Sequence, residues 1–272
     1  MLRTRLITAA ILVPLVVYGV LRLDTRVVAG ILALVFCAAI WEWSRLVPLH
    51  AGWARALYSG VAVLLMWLFW QVPPERMLPA LLAVAGVWWL FALFWLARPG
   101  FCAGHGRGCT LLKLAAGLLV TLPAWTGLVV LHRHGARGPV LMLLLLVMIW
   151  LADSGAYFAG RFFGRRKLAP AVSPGKTLEG VYGGLLASLL FAAAAGWWFS
   201  HSLAWTASFC MVSLLAMLFS VAGDLLESLM KRQSDIKDSG SIIPGHGGIF
   251  DRIDSMTAAV PVFLGGFLWM GL

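Results

Sequence analysis

The 272 residues read as an all-α integral membrane protein, a polytopic bundle of about nine transmembrane helices with a cytoplasmic N-terminus. Composition is the first ground: 61% of the residues are hydrophobic and only 12% charged, where soluble domains carry roughly 25% charge. Spacing is the second. Apolar runs lie at 6–23, 27–43, 56–71, 77–96, 111–131, 139–160, 178–199, 204–229 and 256–272, and most approach the ~20 residues that cross a ~30 Å hydrocarbon core.

The first run follows Arg3 and Arg5 but lacks a small-x-small cleavage site, so it reads as a retained helix and not a secretory signal. The third, 56–71, is the shortest of the early runs. The longest polar interruption, from about 230 to 255, leaves no room for a soluble domain. One continuous membrane domain is therefore expected, with scaffold helices over 1–138 and catalytic helices with cytoplasmic loops over 139–272. No internal repeat is visible, and the 14 Trp fit interfacial belts and helix packing.

Charge placement gives the orientation. With nine crossings from a cytoplasmic start, only Arg22, Arg26, Arg76, Arg133 and Arg137 of the 21 Lys and Arg face outward. The positive-inside rule then puts the motif-rich loops in the cytoplasm, where nucleotides are. A net charge of +10 could attract nucleic acid, anionic lipid heads or anionic small substrates; membrane placement selects the last two and sets nucleic acid aside.

Four cysteines do not make a disulfide framework in a chain of this length, and Cys37 and Cys210 fall in apolar runs as small buried hydrophobes. Cys102, His105 and Cys109 form C-x2-H-x3-C, which lacks a fourth ligand and the usual zinc spacing.

Chemistry concentrates in Ser228–Asp254, SLMKRQSDIKDSGSIIPGHGGIFDRID. Lys231, Arg232, Asp235, Lys237, Asp238, Asp251, Arg252 and Asp254 bring metal-ligating acids and phosphate-binding cations together at one membrane face. Just upstream, Asp224 and Glu227 stand three residues apart in VAGDLLESLMKR, so a helix puts both carboxylates on one side. Intramembrane acids are costly and face a cavity or a partner; here they could serve a site or pair with Lys231 or Arg232 one turn on. Asp251 and Asp254 have the same spacing at a helix start. Hard oxygen ligands beside phosphate suit Mg²⁺.

The turn Pro244-Gly245-His246-Gly247-Gly248 permits backbone N–H groups to converge on a phosphate. His246 could touch phosphate, act as acid or base, or only hold the turn. A second segment, DSGAYFAGRFFGRRKLAPAVSPGKTLEG from Asp153 to Gly180, contains Ser173-Pro174-Gly175-Lys176-Thr177. A P-loop would need Gly where Pro170 stands, so this is no P-loop, although Ser173, Lys176 and Thr177 can still bind phosphate at a helix start. Arg161 is a further substrate contact or a topology signal. Asp153 lies deep in the sixth run as a packing hydrogen bonder or a weaker metal candidate. Gly180 and Gly184 form a small-xxx-small packing face.

Ser228 to Asp254 resembles the signature of the CDP-diacylglycerol synthase, or phosphatidate cytidylyltransferase, family: S-x-apolar-K-R, four residues, K-D-x-small, then P-x-H-G-G-apolar-x-D-R-apolar-D, with every fixed position met. The SPGKT-x-EG and DSGAYFAGR-x-FG segments look like that family too, while residues 1–138 resemble it only in hydropathy. The resemblance implies CTP plus phosphatidic acid giving CDP-diacylglycerol and pyrophosphate with a divalent metal, Mg²⁺, as one ion or two. It implies that Asp224 and Asp251 hold metal at the substrate phosphates, that Lys231 is catalytic, and that the enzyme is a homodimer in a bacterial cytoplasmic (inner) membrane with its active site facing the cytoplasm. Beside those residues, Lys176, Thr177, Ser173, Arg161, Arg232, Lys237, His246, Gly247, Gly248 and Arg252 are the expected substrate contacts. Asp238, Asp254, Glu227 and Asp153 are the further metal candidates.

Two other classes fit this sequence less well. A CDP-alcohol phosphatidyltransferase would show D-G-x2-A-R followed by spaced acids, which this sequence lacks. A transporter or anion channel also uses intramembrane acids, but here the charge clusters at one face and no repeat symmetry is seen.

Overall fold

A computed structural model of the chain describes residues 2–49, 51–104, 106–237, 239–240 and 247–271. Among them nine helices follow in order: α1 (Leu2–Arg22), α2 (Thr25–Trp43), α3 (Gly52–Gln71), α4 (Pro74–Ala97), α5 (Arg107–Arg133), α6 (Gly138–Phe163), α7 (Leu178–Ser200), α8 (Leu203–Gln233) and α9 (Phe250–Trp269). The nine apolar runs all reappear as helices. The short third run gains a turn at its start, because Gly52–Arg55 continue the helix into the polar boundary. Seven helices, α2 to α8, are long and apolar enough to cross a membrane. In α1 the described apolar stretch is only Ala10–Arg22, and α9 carries Asp251, Arg252 and Asp254 near its start.

Two features were not foreseen. Lys167–Ala169 (β1) and Ser173–Thr177 (β2) form an antiparallel pair, with Lys167 opposite Thr177 and Ala169 opposite Ser173. The SPGKT segment is thus the second strand of a hairpin leading into α7. Polar and Gly/Pro-rich residues hide strands this short. Glu179 ties the hairpin down: its Oε2 accepts the Arg165 and Arg166 amides at 3.0 and 3.1 Å, and Oε1 accepts Arg166 Nε at 3.1 Å. The other feature is a disulfide joining Cys102 and Cys109 across seven residues, in and just past the connection before α5. The expectation of unbridged cysteines gives way there, since the turn brings the two Cα atoms to 5.1 Å, inside the usual disulfide span.

The chain folds as two compact units, each drawn from three stretches. The first comprises 1–85, 102–143 and 230–253. In it α2 packs on α3 and α5, and α5 is the most enclosed of the apolar helices, with 72% of its apolar window buried. Trp43 Nε1 donates to the Lys113 carbonyl at 2.8 Å, and the Tyr58 hydroxyl donates to the Leu114 carbonyl at 2.7 Å. Both bonds satisfy polar edges of aromatic residues that the core would otherwise strand.

The second unit comprises 86–101, 144–229 and 254–272. Here α6 and α7 approach closely because both are lined with small residues: a Cβ on Gly184 would lie 2.5 Å from the Ala152 carbonyl oxygen, and one on Gly155 2.8 Å from that of Gly183. The small-xxx-small face read at Gly180 and Gly184 is a packing face, as expected. The α8 and α9 backbones likewise meet at Gly223, where a Cβ would stand 2.5 Å from the Asp254 carbonyl oxygen.

Candidate active site

In the first unit, the residues after α8 and at the start of α9 are organised around two carboxylates. Asp251, in the first turn of α9, accepts the Gly248 amide at 2.7 Å and the Ser239 amide at 3.3 Å on Oδ2, while Lys231 Nζ donates to its Oδ1 at 2.7 Å. Gly247 has φ +81°, a left-handed conformation that residues with a Cβ rarely adopt. That geometry turns the chain so that the Gly248 N–H points at Asp251.

The second carboxylate is Glu42, near the end of α2. It is fully buried and its Oε2 accepts the Ser239 hydroxyl at 3.1 Å and the Phe250 amide at 2.8 Å. Gly240 and Gly248 press against it so tightly that a Cβ on either would come within 2.1 and 2.4 Å of its oxygens. The Phe250 ring packs on Trp43, with centroids 5.0 Å apart. Ser234 donates its hydroxyl to the Leu46 carbonyl at 2.6 Å, so the segment is fastened to the end of α2 at several points.

The second unit holds a different cluster. Asp224 and Glu227 of α8 and Asp254 of α9 each offer a carboxylate oxygen, all within 4.8 Å of one another. Glu227 is 1% exposed and Asp254 9%. Carboxylates this close repel one another when ionised, and a nearby cation relieves that. Lys176, from β2, forms an ion pair with Asp224. A divalent cation bound by oxygen ligands fits this donor set. Ser228 donates to Asp224 Oδ1 at 3.5 Å, at the limit of a hydrogen bond.

Thr177 serves as N-cap of α7, its hydroxyl accepting the Gly180 amide at 3.1 Å. Ser173 is half-buried on β2, while Asp153 and Arg161 are exposed on α6; Arg161 Nη1 donates to the Tyr157 hydroxyl at 2.9 Å. Arg232, Lys237 and Arg252 are exposed. Asp238, His246 and the Pro244-Gly245 pair lie outside the described residues.

The structure therefore joins Asp251 to Lys231, Gly248 and Ser239, and joins Asp224 to Glu227, Asp254 and Lys176. Sequence reasoning passed over Glu42 and Ser239. The signal for Glu42 was present, an acid closing an apolar run in IWEWSR, where it is expensive unless partnered.

Comparison with known proteins places the chain. The model of the cytidylyltransferase family matches residues 3–267, and the chain belongs to that family. A phosphatidate cytidylyltransferase of Pseudomonas aeruginosa is 42% identical over 274 aligned residues, covering 99% of this chain and 97% of that protein. One from Haemophilus influenzae is 37% identical, covering 97% of each. One from Bacillus subtilis is 44% identical over 115 residues, 42% of each chain. A membrane-embedded cytidylyltransferase is thus the class that fold and family define.

Proposed function

We propose that this chain is a phosphatidate cytidylyltransferase, transferring CMP from CTP to phosphatidic acid to give CDP-diacylglycerol and pyrophosphate. The observation that carries the reading is the near full-length similarity to the Pseudomonas protein of that name. Supporting it are two clusters of acids and lysines, carried on α8 and α9 with Lys176 from β2, of the kind that phosphate transfer needs.

In this reaction an oxygen of the phosphatidate phosphate forms a bond to the α-phosphorus of CTP while the bond from that phosphorus to the α–β bridging oxygen breaks, and the electron pair leaves with pyrophosphate. A phosphate monoester has its second pKa near 6, so the nucleophile is largely dianionic at cytoplasmic pH and needs no strong base. The barrier is the approach of one polyanion to another. Positioned cations lower it.

Asp224, Glu227 and Asp254 would hold Mg²⁺, which supplies neutralisation of phosphate charge and orientation of the triphosphate. Lys176, held at Asp224, adds a cation to phosphates bound beside these acids. Lys231, oriented by Asp251, stabilises charge on transferring or leaving phosphate oxygens. Asp251 fixes the Gly247-Gly248 turn through the Gly248 amide and would be a ligand to any further metal ion. Glu42 acts as a positioning residue beneath the same turn. An inner-membrane location and a cytoplasmic active site complete the proposal, on the basis of the charge asymmetry and the bacterial relatives, and homodimerisation is carried over from the family resemblance alone.

The test separates transfer from transport. Purified protein in detergent, with no sealed compartment, is given phosphatidate, Mg²⁺ and CTP labelled at either the α- or the γ-phosphate. The α label is expected in the lipid fraction and the γ label in pyrophosphate. Retention of both labels in CTP by folded protein would sink the reading and favour a transporter.

A further inference from the structure

At the other end of α2 from Glu42, the first unit contains a cavity of about 440 Å³ lined by Asp24, Thr25, Arg26, Trp70 and Arg133. The 19 residues of α2 separate the two ends by about 28 Å at about 1.5 Å per residue, close to the thickness of a hydrocarbon core. This cavity therefore belongs to the opposite membrane face from the Lys231–Asp251 cluster.

Its walls are fixed in place. His132 is 3% exposed, and its Nε2 lies 2.9 Å from the Val20 carbonyl and its Nδ1 2.9 Å from the Thr25 hydroxyl. A carbonyl only accepts, so Nε2 donates to Val20, and Nδ1 is hydrogen-bonded to the Thr25 hydroxyl. Asp24 is engaged as N-cap of α2, accepting the Arg26 amide at 2.8 Å. The two guanidiniums outnumber that single carboxylate, leaving the cavity cationic beside an indole.

Cations are rare at this end of the helices, and the positive-inside rule makes each one there unfavourable for topology. Two of the five nevertheless line one cavity. A second cavity, about 590 Å³ and lined only by apolar side chains, takes its wall from Leu65 and Phe69 of α3, from Val72 just past its end, and from Leu81, Val84 and Leu122. Along α3 the lining from Leu65 to Phe69 runs about 6 Å, by helical rise.

A cationic cup and an apolar channel that both draw on the last turn of α3, through Trp70 and Phe69, match one kind of ligand in a bilayer, an anionic phospholipid with its phosphate on the arginines and an acyl chain along the channel. We propose that Arg26, Arg133 and Trp70 together with the α3–α4–α5 channel form a binding site for a structural phospholipid of the leaflet opposite the catalytic face, distinct from the site where phosphatidate reacts. Its membrane face rests on the topology given above, and its occupancy is independent of the reaction.

Phosphatidylglycerol is the probe, because its phosphate is a diester and cannot serve as the cytidylyl acceptor. Full-length protein, delipidated in detergent, is titrated with phosphatidylglycerol and followed by native mass spectrometry, with inorganic phosphate in a parallel arm. Wild type should retain one lipid per chain. The Arg26→Gln/Arg133→Gln variant should bind about ten-fold more weakly or worse, and Arg26→Lys/Arg133→Lys should keep most of the affinity. Val84 is 50% exposed, so Val84→Trp tests the channel without touching the arginines and should also weaken binding. Equal lipid retention by wild type, the double Gln variant and Val84→Trp would overturn the site. Inorganic phosphate binding as tightly as lipid would overturn the channel's part in it. Since no arm reads CTP turnover, failure here is separable from failure of the cytidylyltransferase reading.

Discussion

Glu42 accepts a hydrogen bond from the Phe250 amide at 2.8 Å across 208 residues of sequence. One carboxylate on α2 thereby caps the start of α9 and, through Ser239, fastens the segment between α8 and α9. A buried carboxyl group engaged this way through Oε2 is costly to remove, because the Phe250 amide and Ser239 hydroxyl would be left unsatisfied. Glu42→Ala is expected to lower stability by about 1–3 kcal/mol and to affect kcat more than the KM for CTP, since the residue is fully buried and holds the Ser239 and Phe250 segments. Thermal unfolding in detergent and steady-state kinetics check both. Wild-type kcat in the Ala variant would contradict the positioning role.

Asp251 and Lys231 make the ion pair at the same loop, with side chains 10% and 16% exposed. Asp251→Asn should reduce turnover by at least about 100-fold while the protein still elutes as folded material from a sizing column. Lys231→Met should do the same. An active Asp251→Asn enzyme would remove Asp251 from the chemistry.

For the carboxylate cluster the expected signature is a shifted metal requirement. Glu227→Gln should raise the Mg²⁺ concentration for half-maximal activity by about ten-fold or more, and Asp224→Asn should be more damaging because it also strands Lys176. Titration of activity with Mg²⁺ at fixed CTP reads this. An unchanged Mg²⁺ dependence in Glu227→Gln would move the metal away from this cluster.

Gly247→Ala carries two penalties. A Cβ at φ +81° is strained, by about 1–2 kcal/mol, and it would meet Asp251 Oδ2 at 2.8 Å. The variant should lose activity while its thermal unfolding shifts by only a few degrees, which comparison of the two assays would show.

Much of this was legible in the chain because the bilayer imposes a coarse grammar. Twenty apolar residues mean a helix, so the nine runs match the nine described helices to within a few residues at most boundaries. The i, i+3 pairing of Asp224 and Glu227 likewise foretold a shared face, and Asp254, initially one of the weaker metal candidates, proved to be their third partner. What could not be read was contact between segments remote in sequence. Glu42 is a lone acid between two tryptophans, and nothing local says that its partners lie some 200 residues away. The β1–β2 hairpin escaped notice because its strands hold three and five residues, too few for alternation to show. The Cys102–Cys109 bond depends on a turn geometry that spacing alone does not encode.

The decisive measurement is the formation of CDP-diacylglycerol from CTP and phosphatidate by the purified protein, with Mg²⁺ and then with excess chelator. Product matched mole for mole by pyrophosphate, lost on chelation and regained when Mg²⁺ is restored, is the expected result. Product formation that persists undiminished in chelator would contradict a metal-holding role for Asp224, Glu227 and Asp254, and no product at all from folded, lipid-supplied protein would contradict the reaction itself.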